Sequence, residues 1–363
     1  MKTLKILVFT LMFSHIALAQ KKYNIHTIAF YNLENLFDTK DDPITFDEDF
    51  LPGGSMNWTE KNYKKKLDLL SYAISEIGTA ENKNSPTILG VCEIENKNVL
   101  EDLVLHENII AKGYKIIHFD SPDRRGIDVG LLYQEKYFTP TFFVNVPLYI
   151  YEDPQYNNRN IKAKIDPITQ EKTYISKRIF TRDQLVVTGL LEGEEVHFIV
   201  NHWPSRSGGE AKSSPNREAA GTLNRRIVDS LYNLNPNAKI ITMGDLNDGP
   251  YNKSVLEKLN AKGNRKSVSS KDLYNPFFEM QKNGVGSLAY RDAWDLFDQV
   301  IVSEPLIRKD FSNFRYWKAG VFNKTFLTVK EGQYKGYPLR NADGEVGYSD
   351  HFPVYVYLIK EEK

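Results

Sequence analysis

One cysteine, Cys92, stands in a chain of 363 residues, so no disulfide can form within it. That excludes the small stapled domain that many exported proteins use in place of a large core. Cys92 lies in an apolar run and reads as a buried, inert thiol rather than a nucleophile. An excess of either charge is also missing, with 47 basic and 47 acidic residues. A tight, non-specific nucleic-acid coat is thereby excluded, although a local basic patch with a metal ion suffices for a nucleic-acid enzyme. After residue 19 no apolar run is long enough to span a bilayer. Internal repeats, low-complexity segments and clear linkers are absent. Histidines are few, at seven.

The chain opens Met1-Lys2-Thr3-Leu4-Lys5, continues through the apolar run Ile6–Phe13, and reaches Ala17-Leu18-Ala19 before Gln20. A basic start, a short apolar centre and small residues at the end make a cleavable signal peptide over 1–19. No cysteine follows the cleavage point, which argues against a lipoprotein anchor. The expected product is a secreted or periplasmic protein with no stable membrane anchor, no indicated protein partner and a monomeric state. Residues 20–363 are read as one catalytic domain, and the apolar fraction of 41% is ample for its core.

Strand character is read at Ile25–Tyr31, Thr87–Cys92, Lys115–Phe119, Asp128–Tyr133 and Tyr137–Val146. It returns at Phe180–Leu191, Val196–Asn201, Lys239–Met243, Phe297–Ser303 and Phe352–Leu358. Tyr63, Leu67, Leu70, Ile74 and Ile77 recur at helical spacing and Gly78 supplies the stop. Further helices are expected at Val99–Leu105, Arg217–Leu231 and Val255–Leu259. Residues 38–57 read as a loop, and 151–177 as a polar excursion between strands. Hairpins mixed with strand–helix–strand units indicate an α/β fold with mixed sheets.

Five of the strands end in polar groups: Asn32, Glu93, Asn201-His202, Asp245-Leu246-Asn247, and Asp350-His351 just before the last strand. A carboxylate such as Glu93 at the end of a buried strand is a hard oxygen ligand suited to Mg²⁺ or Mn²⁺. Gly244 is expected to give a tight exit, and on an extended backbone Asp245 and Asn247 would point the same way. A catalytic imidazole needs a carboxylate to fix its tautomer. Two aspartates on apolar strands are available, so Asp298 is paired with His351 and Asp128 with His202.

These segments, Tyr-Asn-Leu-Glu-Asn-Leu-Phe-Asp at 31–38, Val-Cys-Glu-Ile-Glu-Asn at 91–96, Gly-Asp-Leu-Asn at 244–247, Asp298 and Ser-Asp-His at 349–351, resemble the endonuclease/exonuclease/phosphatase superfamily. The resemblance implies a four-layer sandwich of two packed mixed β-sheets flanked by α-helices. It implies hydrolysis of phosphate esters with Mg²⁺ or Mn²⁺. Glu93 would be the main metal ligand, helped by Asn32 and Asp350. Asp245 and Asn247 would orient water and phosphate, and His351 with Asp298 would stabilise the transition state. His202 would match the additional histidine of deoxyribonuclease-like members, with Asp128 as its acidic partner.

For the substrate, the basic loops at Arg124-Arg125, Arg178, Arg182 and Pro204–Arg226 point to DNA or RNA, with Arg206 reaching a phosphate and Trp203 stacking on a base. A sphingomyelinase-like phospholipid hydrolase or an inositol phosphate hydrolase is the alternative, and an inactive binding protein on the same fold a further one.

Overall fold

The computed structural model describes residues 21–151, 163–165, 172–174, 177–342 and 345–362. The signal-peptide segment and most of the expected excursion over 151–177 lie outside the described residues.

Thirteen strands form the two large sheets. The first runs, edge to edge, Arg315–Val321, Val354–Glu361, Tyr23–Leu36, Ile88–Ile94, Asp128–Gln134 and Tyr114–His118. The second runs Ala261–Lys262, Leu273–Tyr274, Asp298–Ser303, Ile240–Asp245, Glu194–His202, Gln184–Leu191 and Phe138–Val146. Both mix parallel and antiparallel pairs, as Tyr23–Leu36 shows. It is antiparallel to Val354–Glu361 and parallel to Ile88–Ile94.

Strand alternation decides what lies between the layers. Ile28 and Phe30 face the second sheet, meeting Phe198, Val200, Met243 and Val300 in the inter-sheet core. Ala29, Tyr31 and Leu33 face the other way, onto the helices Glu60–Glu76 and Lys97–Val104. Across the molecule, Ile199, Ile240 and Ile301 receive Ala220, Val228 and Tyr232 of the long helix Glu210–Leu234. The order helix, sheet, sheet, helix is the four-layer sandwich that the resemblance implied. The helical stripe Tyr63, Leu67, Leu70, Ile74 and Ile77 is buried throughout. Thr59 caps that helix through Asn62 N at 3.3 Å, and Gly78 follows its end at φ +76°.

Boundaries differ where tertiary contacts extend an element. The first strand continues past Tyr31 to Leu36 through a register shift between Asn32 and Leu36. The helix expected from Arg217 begins at Glu210 and takes in Pro215, which has no N–H to give to the Ala211 carbonyl one turn earlier. In place of a helix over 255–259 there is a single π-type turn, Ser254–Lys258. The Gln184–Leu191/Glu194–His202 hairpin turns on Glu192 and Gly193, both at positive φ, the geometry a two-residue hairpin loop favours.

Gly244 is needed for close approach within the strand rather than for a tight exit. A Cβ there would stand 2.3 Å from the Asn201 carbonyl oxygen and 2.6 Å from Asn201 Cβ. Backbone must therefore move in Gly244→Ala, which is expected to lower stability by about 1–3 kcal/mol in urea unfolding. Because Asn201 and Gly244 are register partners directly before His202 and Asp245, the spacing of those two side chains should change with it.

Candidate active site

Register assembles the site. His202 pairs with Asp245 in parallel, and Asp245 pairs with Asp298 in antiparallel, so three functional groups stand in one row at the end of the second sheet. Across the sandwich, Tyr23–Leu36 and Ile88–Ile94 bring Asn32 and Glu93 to the same end. Asn32 Nδ2 donates to Glu93 Oε1 and to Asp245 Oδ2, each at 3.2 Å, stitching the two sheets together.

Three of the residues here carry unusual backbone. Glu93, Asn247 and Asn35 have φ of 57°, 50° and 52°, in the left-handed region that side chains with a Cβ enter rarely. At Glu93 this conformation coincides with the end of regular pairing, and Glu93 Oε2 accepts from Asn35 N at 3.1 Å. At Asn247 it replaces the extended backbone expected after Asp245. Asp245 Oδ1 instead accepts from Asn247 N at 2.9 Å, and Asn247 Nδ2 donates to the Trp203 carbonyl at 2.9 Å. The pair still shares the site, but by a turn rather than by strand alternation.

The two imidazoles have opposite electrostatics. His351 Nδ1 lies 2.6 Å from Asp298 Oδ2, which also accepts from Ser287 Oγ at 2.5 Å. Burial opposes charge on His351, but Asp298 and then Asp245 outweigh it and raise the imidazole well above its ordinary value. His202, 3% exposed, is pushed well below its ordinary value by burial and then by Arg182. Its Nε2 lies 3.7 Å from Asp245 and 3.8 Å from Glu93, while its buried Nδ1 has no hydrogen-bond partner among the described residues. Asp245 itself is raised to about 7 by burial, against the pull of His351, whose Nε2 lies 3.9 Å away. One charged and one neutral imidazole thus flank one buried carboxylate.

Several expected roles change. Asp128 does not pair with His202. Its Oδ2 lies 3.0 Å from His118 Nε2 and its Oδ1 takes Ser121 N and Oγ, because the strand Tyr114–His118 lies beside Asp128–Gln134 at the far edge of the first sheet. Arg206 is not on a free loop: it donates to the Asn247 carbonyl at 2.9 Å, meets Asp248 at 3.2 Å and lies over the Phe297 ring. It therefore positions Asn247. Trp203 is 1% exposed and donates to Asn201 Oδ1, so it cannot stack on a base. Arg217 is fully buried against Asp248 at 2.7 Å, and Arg182 is buried between Asp123 at 2.8 Å and the Trp203 carbonyl. Buried guanidinium groups need such partners, and those partners were out of sight in the sequence. Asp350 stands at the rim, 3.9 Å from Arg340 and 4.0 Å from His351 Nε2.

Sequence reasoning passed over Ser287, Glu34, Lys66, Arg340, Tyr290 and Trp294. The Glu34 carboxylate accepts from Asn341 N and lies 3.4 Å from the fully buried Lys66, and its backbone N–H donates to Asn32 Oδ1 at 2.8 Å. Tyr290 and Trp294 lie on the small hairpin Leu288–Tyr290/Ala293–Asp295, and the Trp294 ring stacks on Phe352, the residue after His351. They are 64% and 38% exposed, which supplies the aromatic surface that Trp203 does not. Single polar and aromatic residues scattered over a strand, a helix, a short hairpin and loops gave no periodic signal by which to find them.

The donors suit a divalent cation held by hard ligands. Glu93 and Asp245 offer carboxylate oxygens, and the Asn32 amide bridges the two, its own oxygen held by the Glu34 N–H. Ligand atoms of Cys92, His202 and Asp245 also lie within 4.8 Å of one another, but burial holds the Cys92 thiol well above its ordinary value and so protonated.

The sequence over residues 27–175 and 164–360 matches the model of the Endonuclease/Exonuclease/phosphatase family. No curated protein matches. Among solved structures, an endonuclease/exonuclease/phosphatase family protein from Bacteroides thetaiotaomicron is similar at 16% identity and TM-score 0.52, covering 94% of this chain and 96% of that one. A mannosyl-6-phosphatase from the same organism is similar at 16% identity and TM-score 0.51, covering 92% and 99%. Truncated Caenorhabditis elegans TDP2 is similar at 14% identity and TM-score 0.50, covering 92% and 97%. With the matched segments taking in both sheets and every strand end described above, the chain belongs to the endonuclease/exonuclease/phosphatase family, whose members hydrolyse phosphate ester bonds.

Proposed function

We propose that the protein is an exported phosphodiesterase, dependent on Mg²⁺ or Mn²⁺, that hydrolyses nucleic acid by in-line attack of water. The observation that carries the chemistry is the pair of unlike imidazoles across Asp245. His351, held charged by Asp298, is placed to stabilise a phosphoryl oxygen or to give a proton to the departing alkoxide. Asp245, near neutrality in its protonation and oriented by Asn247 N, is placed to hold the attacking water. His202 stays neutral and can accept a hydrogen bond from that water or from the substrate. Arg206 fixes the Asn247 backbone, so its part is positioning. Glu93, with Asn32, would hold the divalent cation, which would neutralise phosphate charge.

Exposed Tyr290 and Trp294 beside His351 support a substrate with a ring next to the phosphate, as nucleic acid has. A second reading is favoured by a different observation. Arg182, Arg206 and Arg217 are all spent on internal carboxylates and carbonyls, which takes three of the expected basic-loop cations away from a polyanion. That suits a small phosphomonoester, such as a sugar or inositol phosphate.

The two are separated by incubating the purified protein with single- and double-stranded DNA, RNA, bis-p-nitrophenyl phosphate, p-nitrophenyl phosphate and mannose 6-phosphate. Diester cleavage is expected with Mg²⁺ or Mn²⁺, lost in EDTA and restored by either ion. Release of inorganic phosphate from the monoesters, with every diester intact under both metals, would replace the first reading by the second.

A further inference from the structure

A second chemical environment lies at the opposite end of the same strands. A cavity of about 340 Å³ is walled by Tyr23, Phe311, Tyr316 and Trp317 and carries the guanidinium groups of Arg265 and Arg315. Ile25, also in its wall, is seven positions before Asn32 on one strand, so the cavity sits about 23 Å from the phosphoesterase site. Its own geometry is built. Ile25, Ile359 and Arg315 form one row across three strands. The edge strand Arg315–Val321 then bulges: Tyr316 faces Leu358 and Lys318 faces Tyr357, leaving Trp317 as the extra residue. A bulge re-aims a side chain, and here it places a half-exposed indole at the cavity.

Arg315 is the telling residue. It is 8% exposed, yet its Nε is buried with no hydrogen-bond partner among the described residues. Within those residues no carboxylate pairs with it either. It lies instead over the Phe311 ring, whose centroid is 4.4 Å from the guanidinium carbon. Buried guanidinium groups elsewhere in this molecule, Arg182 and Arg217, each have a carboxylate. Arg265 adds a second positive charge, with Nη2 tied to the Ile307 carbonyl at 2.7 Å and its guanidinium carbon 5.9 Å from the Tyr316 ring. Glu361, on the strand end beside Tyr23, is taken by Lys21 at 2.9 Å. Two guanidinium groups among aromatic rings, one of them with no anion among the described residues, are complementary to an anion that carries its own ring. The volume admits one ring and one anionic group and falls at the small end of ligand pockets.

We infer that this cavity is a binding site for a small aromatic anion, a carboxylate or a phosphoryl group on a planar ring, whose charge pairs with Arg315 and whose ring packs against Trp317 and Tyr316. Isothermal titration of the full protein in EDTA with benzoate and phenylphosphonate tests it, with benzyl alcohol supplying the ring alone and inorganic phosphate the charge alone. At least one ring-bearing anion should bind saturably at one site, both controls more weakly. Arg315→Met, which keeps length and removes charge, should weaken that binding by about 10-fold or more and leave phosphoesterase turnover unchanged. Should Arg315→Met fail to fold, Arg265→Met with the fluorescence of Trp317 as readout gives the same comparison. Absence of saturable binding by either ring-bearing anion, equal affinity for a control, or affinity unaltered in the arginine variant would overturn the site.

Discussion

His351→Ala is expected to lower kcat on a phosphodiester by about 10³-fold while the protein stays folded. The imidazole is buried at the row Asp298, Asp245, His202, with Nδ1 fixed by Asp298 at 2.6 Å and Nε2 facing Asp245 at 3.9 Å. A group held charged by two neighbouring carboxylates stabilises developing negative charge or donates a proton, and water in the vacated space does either poorly. Asp298→Asn should cost about 10²-fold or more through the same residue, because an amide fixes neither tautomer nor charge. Steady-state kinetics on bis-p-nitrophenyl phosphate, with near-ultraviolet dichroism to check folding, gives the comparison. The double variant should be little slower than His351→Ala alone, since the two act as one unit. Turnover within a factor of two of the parent in His351→Ala would remove the imidazole from the chemistry.

Lys66→Met is expected to destabilise the fold by about 3–5 kcal/mol. Lys66 is fully buried and reaches the Tyr348 carbonyl at 3.0 Å, Asn341 Oδ1 at 3.4 Å and Glu34 at 3.4 Å. Burial pushes Glu34 up to about 7 and lowers Lys66, so each depends on the other to stay charged. Removing the ammonium leaves a carboxylate in a closed site, with only the Asn341 N–H and Arg340 at 3.6 Å nearby. Lys66→Met with Glu34→Gln should recover most of the loss, because a neutral pair leaves no isolated charge. Urea unfolding of the two single variants and the double completes the cycle. Glu34 N also holds Asn32 Oδ1, so the single variants should weaken metal-dependent activity beyond their effect on the folded fraction.

The strand ends were legible for a physical reason. An apolar run that stops on Asn, Glu, His or Asp places a polar group at a sheet edge whatever the sheet order, and alternation tells which neighbours share its face. Asn32, Glu93, His202, Asp245, Asn247, Asp298 and His351 could be named in that way. Partnership was not legible in the same way: two aspartates were available to two histidines, and of the two pairings only His351 with Asp298 forms. Asp128 went to His118 instead of His202, because that choice depends on which strands are neighbours. The basic loops misled for a related reason. Arg182, Arg206 and Arg217 look free in a one-dimensional charge count, while Asp123 and Asp248 wait for them elsewhere in the chain.

By itself the sequence determined the α/β class, the helical and strand periodicities, and the identity of most polar groups at the strand ends, because these depend on local spacing and residue chemistry. Tertiary structure alone decided which histidine is charged and which neutral, which arginines are engaged internally, and that Arg315 is buried with no anion among the described residues. Each of those follows from desolvation and from distances between residues far apart in the chain, and both are set when two sheets close on one another.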